Sequence, residues 1–82
     1  MGKLINIGYG NVVNAERILA VITPDSAPAK RIISRSKEKE VLIDATQGRK
    51  TKSILITDTE KVILSALLPE TITSRVSDLS KN

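Results

Sequence analysis

Phe, Trp, Cys and His are all absent from this 82-residue sequence, and its one aromatic residue is Tyr9. That absence constrains the fold more than any motif does. A chain this short buries only a modest share of its surface, and here Ile, Leu, Val and Ala must supply the core. No disulfide can staple it, and no thiolate can hold a metal. A small unstapled aliphatic domain gains its missing burial from partner subunits. The expectation is one domain over residues 1–82 that assembles as a homo-oligomer.

The net charge is +4. From Lys30 to Lys52 the chain carries eight cations against three anions, a local excess of +5 that exceeds the whole chain's. An excess of that kind suits a nucleic acid or another anionic surface. No apolar run follows Lys3 as in a signal peptide, and Asn6 breaks the myristoylation pattern. No apolar run approaches the length of a membrane span. The sequence reads as a soluble cytoplasmic protein.

Short apolar runs between turn signals predict strands at "KLINI" (Lys3–Ile7) and "VLIDA" (Val41–Ala45). "SILITD" and "KVILSAL" predict two more, joined as a hairpin through Asp58–Lys61. "NAERILAVIT" (Asn14–Thr23) is ambiguous: "AERILA" has helix composition, but the piece is short and ends in the β-rich "VIT", so it reads as a strand, with Ile18, Ala20 and Ile22 on one face and Arg17, Leu19 and Val21 on the other. "TPDSAP" (Thr23–Pro28) signals a helix start: Asp25 or Ser26 caps, and Pro28 falls in the first turn, where its missing N–H costs nothing. That helix should run to about Lys39, with Ala29, Ile32, Ile33 and Ser36 sharing one face. "LPETITSRVSDL" predicts a second helix, whose sparse stripe of Ile72, Val76 and Leu79 suggests packing on a neighbouring subunit. The fold class is α+β, a small mostly antiparallel sheet with two helices.

Without His or Cys, acid–base and nucleophilic roles fall to carboxylates, Lys, Ser and Tyr. The nine carboxylates sit mostly at cap, turn or exposed helix positions. Asp58 and Glu60 fit a hairpin turn better than a cation site. "GYG" lacks the third glycine and following helix of a dinucleotide loop and the Gly-Lys-Ser/Thr of a P-loop; a tight turn explains it. The chain reads as a non-enzyme with no cofactor, no metal and no small-molecule substrate.

The sharpest feature is "ATQGRKTKS" (Ala45–Ser53), where Arg49, Lys50 and Lys52 follow Gly48 with no acidic neighbour inside the stretch. A turn held between two strands presents its cations from a fixed frame, which suits phosphates. Lys30, Arg31 and Arg35 on the first helix add to the positive surface. Arg17 interrupts an apolar strand and reads in either of two ways: a strand-end salt bridge with Glu16 or Asp44, or a cation projecting toward a ligand. Single-strand binders stack bases on aromatic side chains, so one tyrosine favours duplex DNA held by its backbone.

Four stretches in series, "INIGYGN" (Ile5–Asn11), "ERILAVITPDSAPAKRII" (Glu16–Ile33), "DATQGRKT" (Asp44–Thr51) and "VILSALLPETI" (Val62–Ile72), resemble the RemA family of bacterial extracellular-matrix regulatory proteins, which activate biofilm-matrix genes. The resemblance implies a DNA-binding transcriptional regulator built as a ring-shaped homo-oligomer, with DNA bent or wrapped around repeated basic residues. It places the family's strand arginine at Arg17, favouring the ligand-side reading there. It places the basic turn at Gly48, Arg49 and Lys50. The second basic position is commonly Arg in the family; Lys50 keeps the charge but loses the bidentate fork. Two other readings fit the charge: an RNA-binding protein, and a structural oligomer that binds a protein or a small anion.

Overall fold

The computed structural model describes residues 3–79. Strands β1 (Leu4–Asn6) and β2 (Val12–Asn14) form an antiparallel hairpin, and a single 3-10 turn (Ala15–Arg17) leads into β3 (Ile18–Ile22). Helix α1 (Ala27–Glu38) crosses to β4 (Leu42–Asp44), and β5 (Ser53–Thr57), β6 (Val62–Ser65) and α2 (Pro69–Leu79) complete the chain. The larger sheet has the order β3-β5-β6-β4. β5 runs antiparallel to both β3 and β6, while β4 lies parallel to β6. The parallel pair follows from α1, which carries the chain from one edge of the sheet to the other.

The sheet is covered on both faces. Ala29, Ile32 and Ile33 of α1 pack on Ile54, Val62 and Leu64. The β1–β2 hairpin and α2 cover the opposite face, where Ile5, Ile7 and Ile72 meet Leu55 and Ile63. Alternate residues of β5 and β6 therefore serve different layers, as a two-faced strand requires. Ser26 caps α1 by accepting from the Ala29 amide at 3.2 Å, and Pro28 lies in the first turn. The helix ends at Glu38, one residue short of the expected Lys39.

Two expectations are corrected. The segment Asn14–Thr23 is not one strand: Asn14 closes β2 and accepts from the Glu16 amide at 3.0 Å, which starts the 3-10 turn. A register shift between Ile18 and Ala20 then breaks the expected alternation. Ile18 packs in the same cluster as Val21, Ile22 joins the α1 side, and Leu19 stands 69% exposed. Second, the sparse stripe of α2 is used within the chain. Ile72 is fully buried, and Val76 and Leu79 pack on the same cluster. Three apolar residues suffice because α2 shares that face with the hairpin. No helix among the described residues is long and apolar enough to cross a membrane.

Candidate nucleic-acid interface

The basic turn owes its shape to sheet topology. β4 and β5 flank β6 on its two sides, so the connection from Asp44 to Ser53 must pass over the C-terminal end of β6. It is tied down at both ends as it does so. The Ala45 amide donates to the Leu64 carbonyl and the Lys52 amide to the Ser65 carbonyl, each at 2.9 Å. Between these anchors Gln47 (φ 54°) and Gly48 (φ 77°) take left-handed conformations, and the Arg49 amide donates to the Thr46 carbonyl at 3.0 Å. Positive φ at both central residues is the pattern of a type I′ turn. Glycine takes that conformation without steric cost.

Asp44 braces the entrance. One carboxylate oxygen accepts from the Thr46 amide at 2.9 Å and from the Thr46 hydroxyl at 2.6 Å. Those bonds hold the Asp44 carboxyl below its ordinary value, the hydroxyl bond contributing most. Thr46 itself is buried, whereas Gln47, Gly48, Arg49, Lys50 and Lys52 are exposed. The loop thus has a fixed base and a wet, cationic crest. Among the described residues, no carboxylate forms an ion pair with Arg49, Lys50 or Lys52.

Beside it lies a second turn of the same kind. In the β1–β2 connection Tyr9 (φ 55°) and Gly10 (φ 79°) are both left-handed, and the Asn11 amide donates to the Gly8 carbonyl at 3.0 Å. The Asn11 side-chain amide reaches across to the Ala45 carbonyl at 3.4 Å. The Arg49 guanidinium carbon sits over the Tyr9 ring, 5.8 Å from its centroid. The tight turn expected of "GYG" is present. Its contact with the basic turn was not legible, because nothing local in the sequence links residues 9 and 49.

Lys50 and Lys52 also line a groove shared with Thr23, Pro24 and Asp25 ahead of α1 and Leu68, Pro69 and Glu70 at the start of α2. Lys30 sits in the first turns of α1, toward this end of the sheet, and Arg31 and Arg35 follow along its exposed outer surface. Arg17 is placed elsewhere. It lies beyond the far end of β5, beside Asp58, which is six residues from Lys52 or roughly 20 Å along the strand at about 3.3 Å per residue. Its guanidinium donates to Asp58 at 3.1 Å, and its carbonyl accepts from the Asp58 amide at 3.0 Å. The partner is neither Glu16 nor Asp44. Asp58 arrives instead through the β3–β5 pairing, from a distant part of the sequence. Asp58 and Glu60 occupy the β5–β6 hairpin turn, as expected, with Glu60 at φ 66°.

Residues 4–76 match the RemA-like family, described as Extracellular matrix regulatory protein A-like. A Caldicellulosiruptor saccharolyticus protein is 58% identical over 74 residues, covering 90% of this chain and 73% of the relative. An Alkaliphilus metalliredigens protein is 51% identical over 80 residues, covering 98% of this chain and 86% of the relative. A Heliobacterium modesticaldum protein is 56% identical over 75 residues, covering 92% and 82% respectively. Each of the three bears the name "Putative regulatory protein". The chain belongs to the RemA-like family of regulatory proteins.

Proposed function

We propose that this chain is a cytoplasmic, DNA-binding transcriptional regulator of extracellular-matrix (biofilm) genes. It binds duplex DNA through one basic turn per subunit of a ring-shaped homo-oligomer and bends or wraps the duplex. The observation that carries this reading is a loop fixed at both ends to β6, whose Arg49, Lys50 and Lys52 form no ion pair among the described residues. Fixed cations complement a phosphate backbone: Arg donates bidentately, and Lys acts as a point charge. Such contacts position DNA and carry no sequence information by themselves. Lys30, Arg31, Arg35 and Arg17 are secondary contacts.

Both edges of the larger sheet support assembly. Edge strand β3 presents Leu19, 69% exposed, and edge strand β4 presents Ile43, 46% exposed. Two different edges meeting head to tail make a heterologous contact, which closes into a ring when the rotation permits. Repetition of a weak phosphate contact around that ring raises avidity. The regulatory role is supported by the family, and no cofactor or small-molecule substrate enters this reading.

The test is a titration against duplex DNA at several salt concentrations, with wild type beside Arg49→Ala/Lys50→Ala and the assembled mass measured for both. The expected result is an intact oligomer whose variant binds at least roughly tenfold more weakly, with a salt slope shallower by about 0.9 for each phosphate no longer neutralised. Wild-type protein that ignores duplex DNA at low salt overturns the reading. So does tighter binding to duplex RNA than to duplex DNA. A variant that fails to assemble makes the turn an oligomer contact instead.

A further inference from the structure

Resting on the DNA-binding reading, we propose that Tyr9 is a positioning residue for Arg49: its ring holds the guanidinium in the orientation that meets a phosphate.

Tyr9 is poorly explained by packing. It is the chain's one aromatic residue, yet it lies 50% exposed at a hairpin tip rather than in the core. Its backbone is left-handed (φ 55°), a conformation that favours Gly, Asn or Asp at the centre of a type I′ turn. A bulky side chain at such a place stores strain, and burial does not offset it here. What the ring does have is Arg49, at 5.8 Å from centroid to guanidinium carbon. That distance lies inside the range in which a ring face attracts a cation.

The two turns are also held against each other. The Gly8 amide donates to the Asn6 side chain at 2.7 Å, and the buried Ser65 hydroxyl donates to the Ile7 carbonyl at 2.7 Å. The Asn11 side chain bridges the Gly8 carbonyl at 3.0 Å and the Ala45 carbonyl at 3.4 Å. Tyr9 is therefore fixed relative to the loop that carries Arg49, not swinging on a free hairpin.

The chemistry of the pair suits a phosphate clamp. Attraction to a ring face uses the charge of the guanidinium and none of its N–H donors, which stay available for a bidentate bond. Holding a long side chain in place before binding lowers the entropy cost when a phosphate arrives. With one aromatic ring in the chain, the aid falls on the one member of the turn able to form a fork.

The test is a double-mutant cycle in the full chain, read as duplex-DNA affinity over a salt series. The variants are Tyr9→Ala, Tyr9→Phe, Arg49→Ala and Tyr9→Ala/Arg49→Ala, with oligomer mass and thermal unfolding checked for each. Tyr9→Ala is expected to bind roughly three- to tenfold more weakly, while Tyr9→Phe stays within about twofold of wild type, since the ring face is kept. The Tyr9→Ala salt slope should match wild type, because no phosphate-binding charge is removed, whereas Arg49→Ala lowers it. Tyr9→Ala should add nothing once Arg49 is gone. Several results overturn the assignment: Tyr9→Ala binding like wild type, Tyr9→Phe as weak as Tyr9→Ala, or a Tyr9→Ala effect that persists undiminished beside Arg49→Ala. The last would make Tyr9 a DNA contact in its own right. Failure of the broader reading is distinguishable, since Arg49→Ala would then bind like wild type and both proposals fall together.

Discussion

The two ends of β5 carry arginines in opposite circumstances. At one end Arg49 rises from a loop with no acid in it, forms no ion pair among the described residues, and rests on an aromatic ring. At the other, Arg17 is engaged by Asp58 at 3.1 Å, with Glu16 and Glu60 nearby in sequence. Both arginines are solvent-exposed, so exposure does not separate them. Compensation does. A cation that already has a carboxylate must release it, or share it, before it meets a phosphate. An uncompensated one gives up only water. Charge counted along a sequence is therefore a poor guide to charge offered at a surface.

The largest effect should come from breaking the uncompensated end. In the same titration, Arg49→Ala/Lys50→Ala is expected to cost at least roughly tenfold in duplex-DNA affinity, and Arg17→Ala no more than about threefold. Equal effects from the two variants would remove the distinction between the two ends. Next comes the frame beneath the basic turn. Ser65 is fully buried; its hydroxyl donates to the Ile7 carbonyl at 2.7 Å and accepts from the Leu67 amide at 3.1 Å. Ser65→Ala leaves both partners without that oxygen, at a cost of about 1–3 kcal/mol in stability. Urea unfolding at constant protein concentration measures it. An unchanged midpoint would mean that water or a backbone shift replaces the hydroxyl, and that the frame is softer than its geometry suggests.

Legibility in the sequence followed the range of each interaction. Helix α1 was readable because its signals are local: a Ser cap, a proline in the first turn, and apolar residues at helical spacing. The β5–β6 hairpin was readable for the same reason. The break at Ala15–Arg17 was only half readable: "AERILA" has helix composition, but one 3-10 turn behind an Asn cap is too short to outweigh the β-rich residues that follow. The parallel pairing of β4 with β6 was not readable, since it depends on where α1 delivers the chain. The site divides in the same way. Gly48, Arg49, Lys50 and Lys52 announced themselves as a run. The Asp58 partner of Arg17 and the Tyr9 partner of Arg49 lie 41 and 40 positions away, and only the fold brings them close.

Asp58 offers a way to sharpen the comparison rather than break it. Asp58→Asn removes the carboxylate while keeping an oxygen to accept from Arg17 and a hairpin-compatible side chain. The pair is exposed, so stability should change by about 0.5 kcal/mol or less. DNA affinity should instead rise, by roughly two- to threefold, because the positive charge of Arg17 is no longer offset by a carboxylate. The gain should disappear in an Asp58→Asn/Arg17→Ala protein. A gain that survives there would come from removing the carboxylate alone, and Arg17 would have no part in binding.

The smallest effect concerns Asp44, which braces the uncompensated end without carrying any of its positive charge. Its carboxyl is held below the ordinary value of 3.8 by the Thr46 hydroxyl first and the Thr46 amide second. A carboxylate depressed in the folded state stabilises that state above the unfolded-chain value, and the contribution fades as pH falls through the lower folded value. Thermal unfolding of wild type and Asp44→Asn should therefore differ by a constant margin from about pH 7 to about pH 5 and converge below about pH 4. Asn can still accept one bond from Thr46, so the margin is small, and the side chain's exposure screens it further. Parallel curves down to about pH 3 would show that the bonds to Thr46 distinguish poorly between charged and neutral oxygen. The turn would then owe its shape to its two backbone anchors on β6 and not to the carboxylate at its entrance.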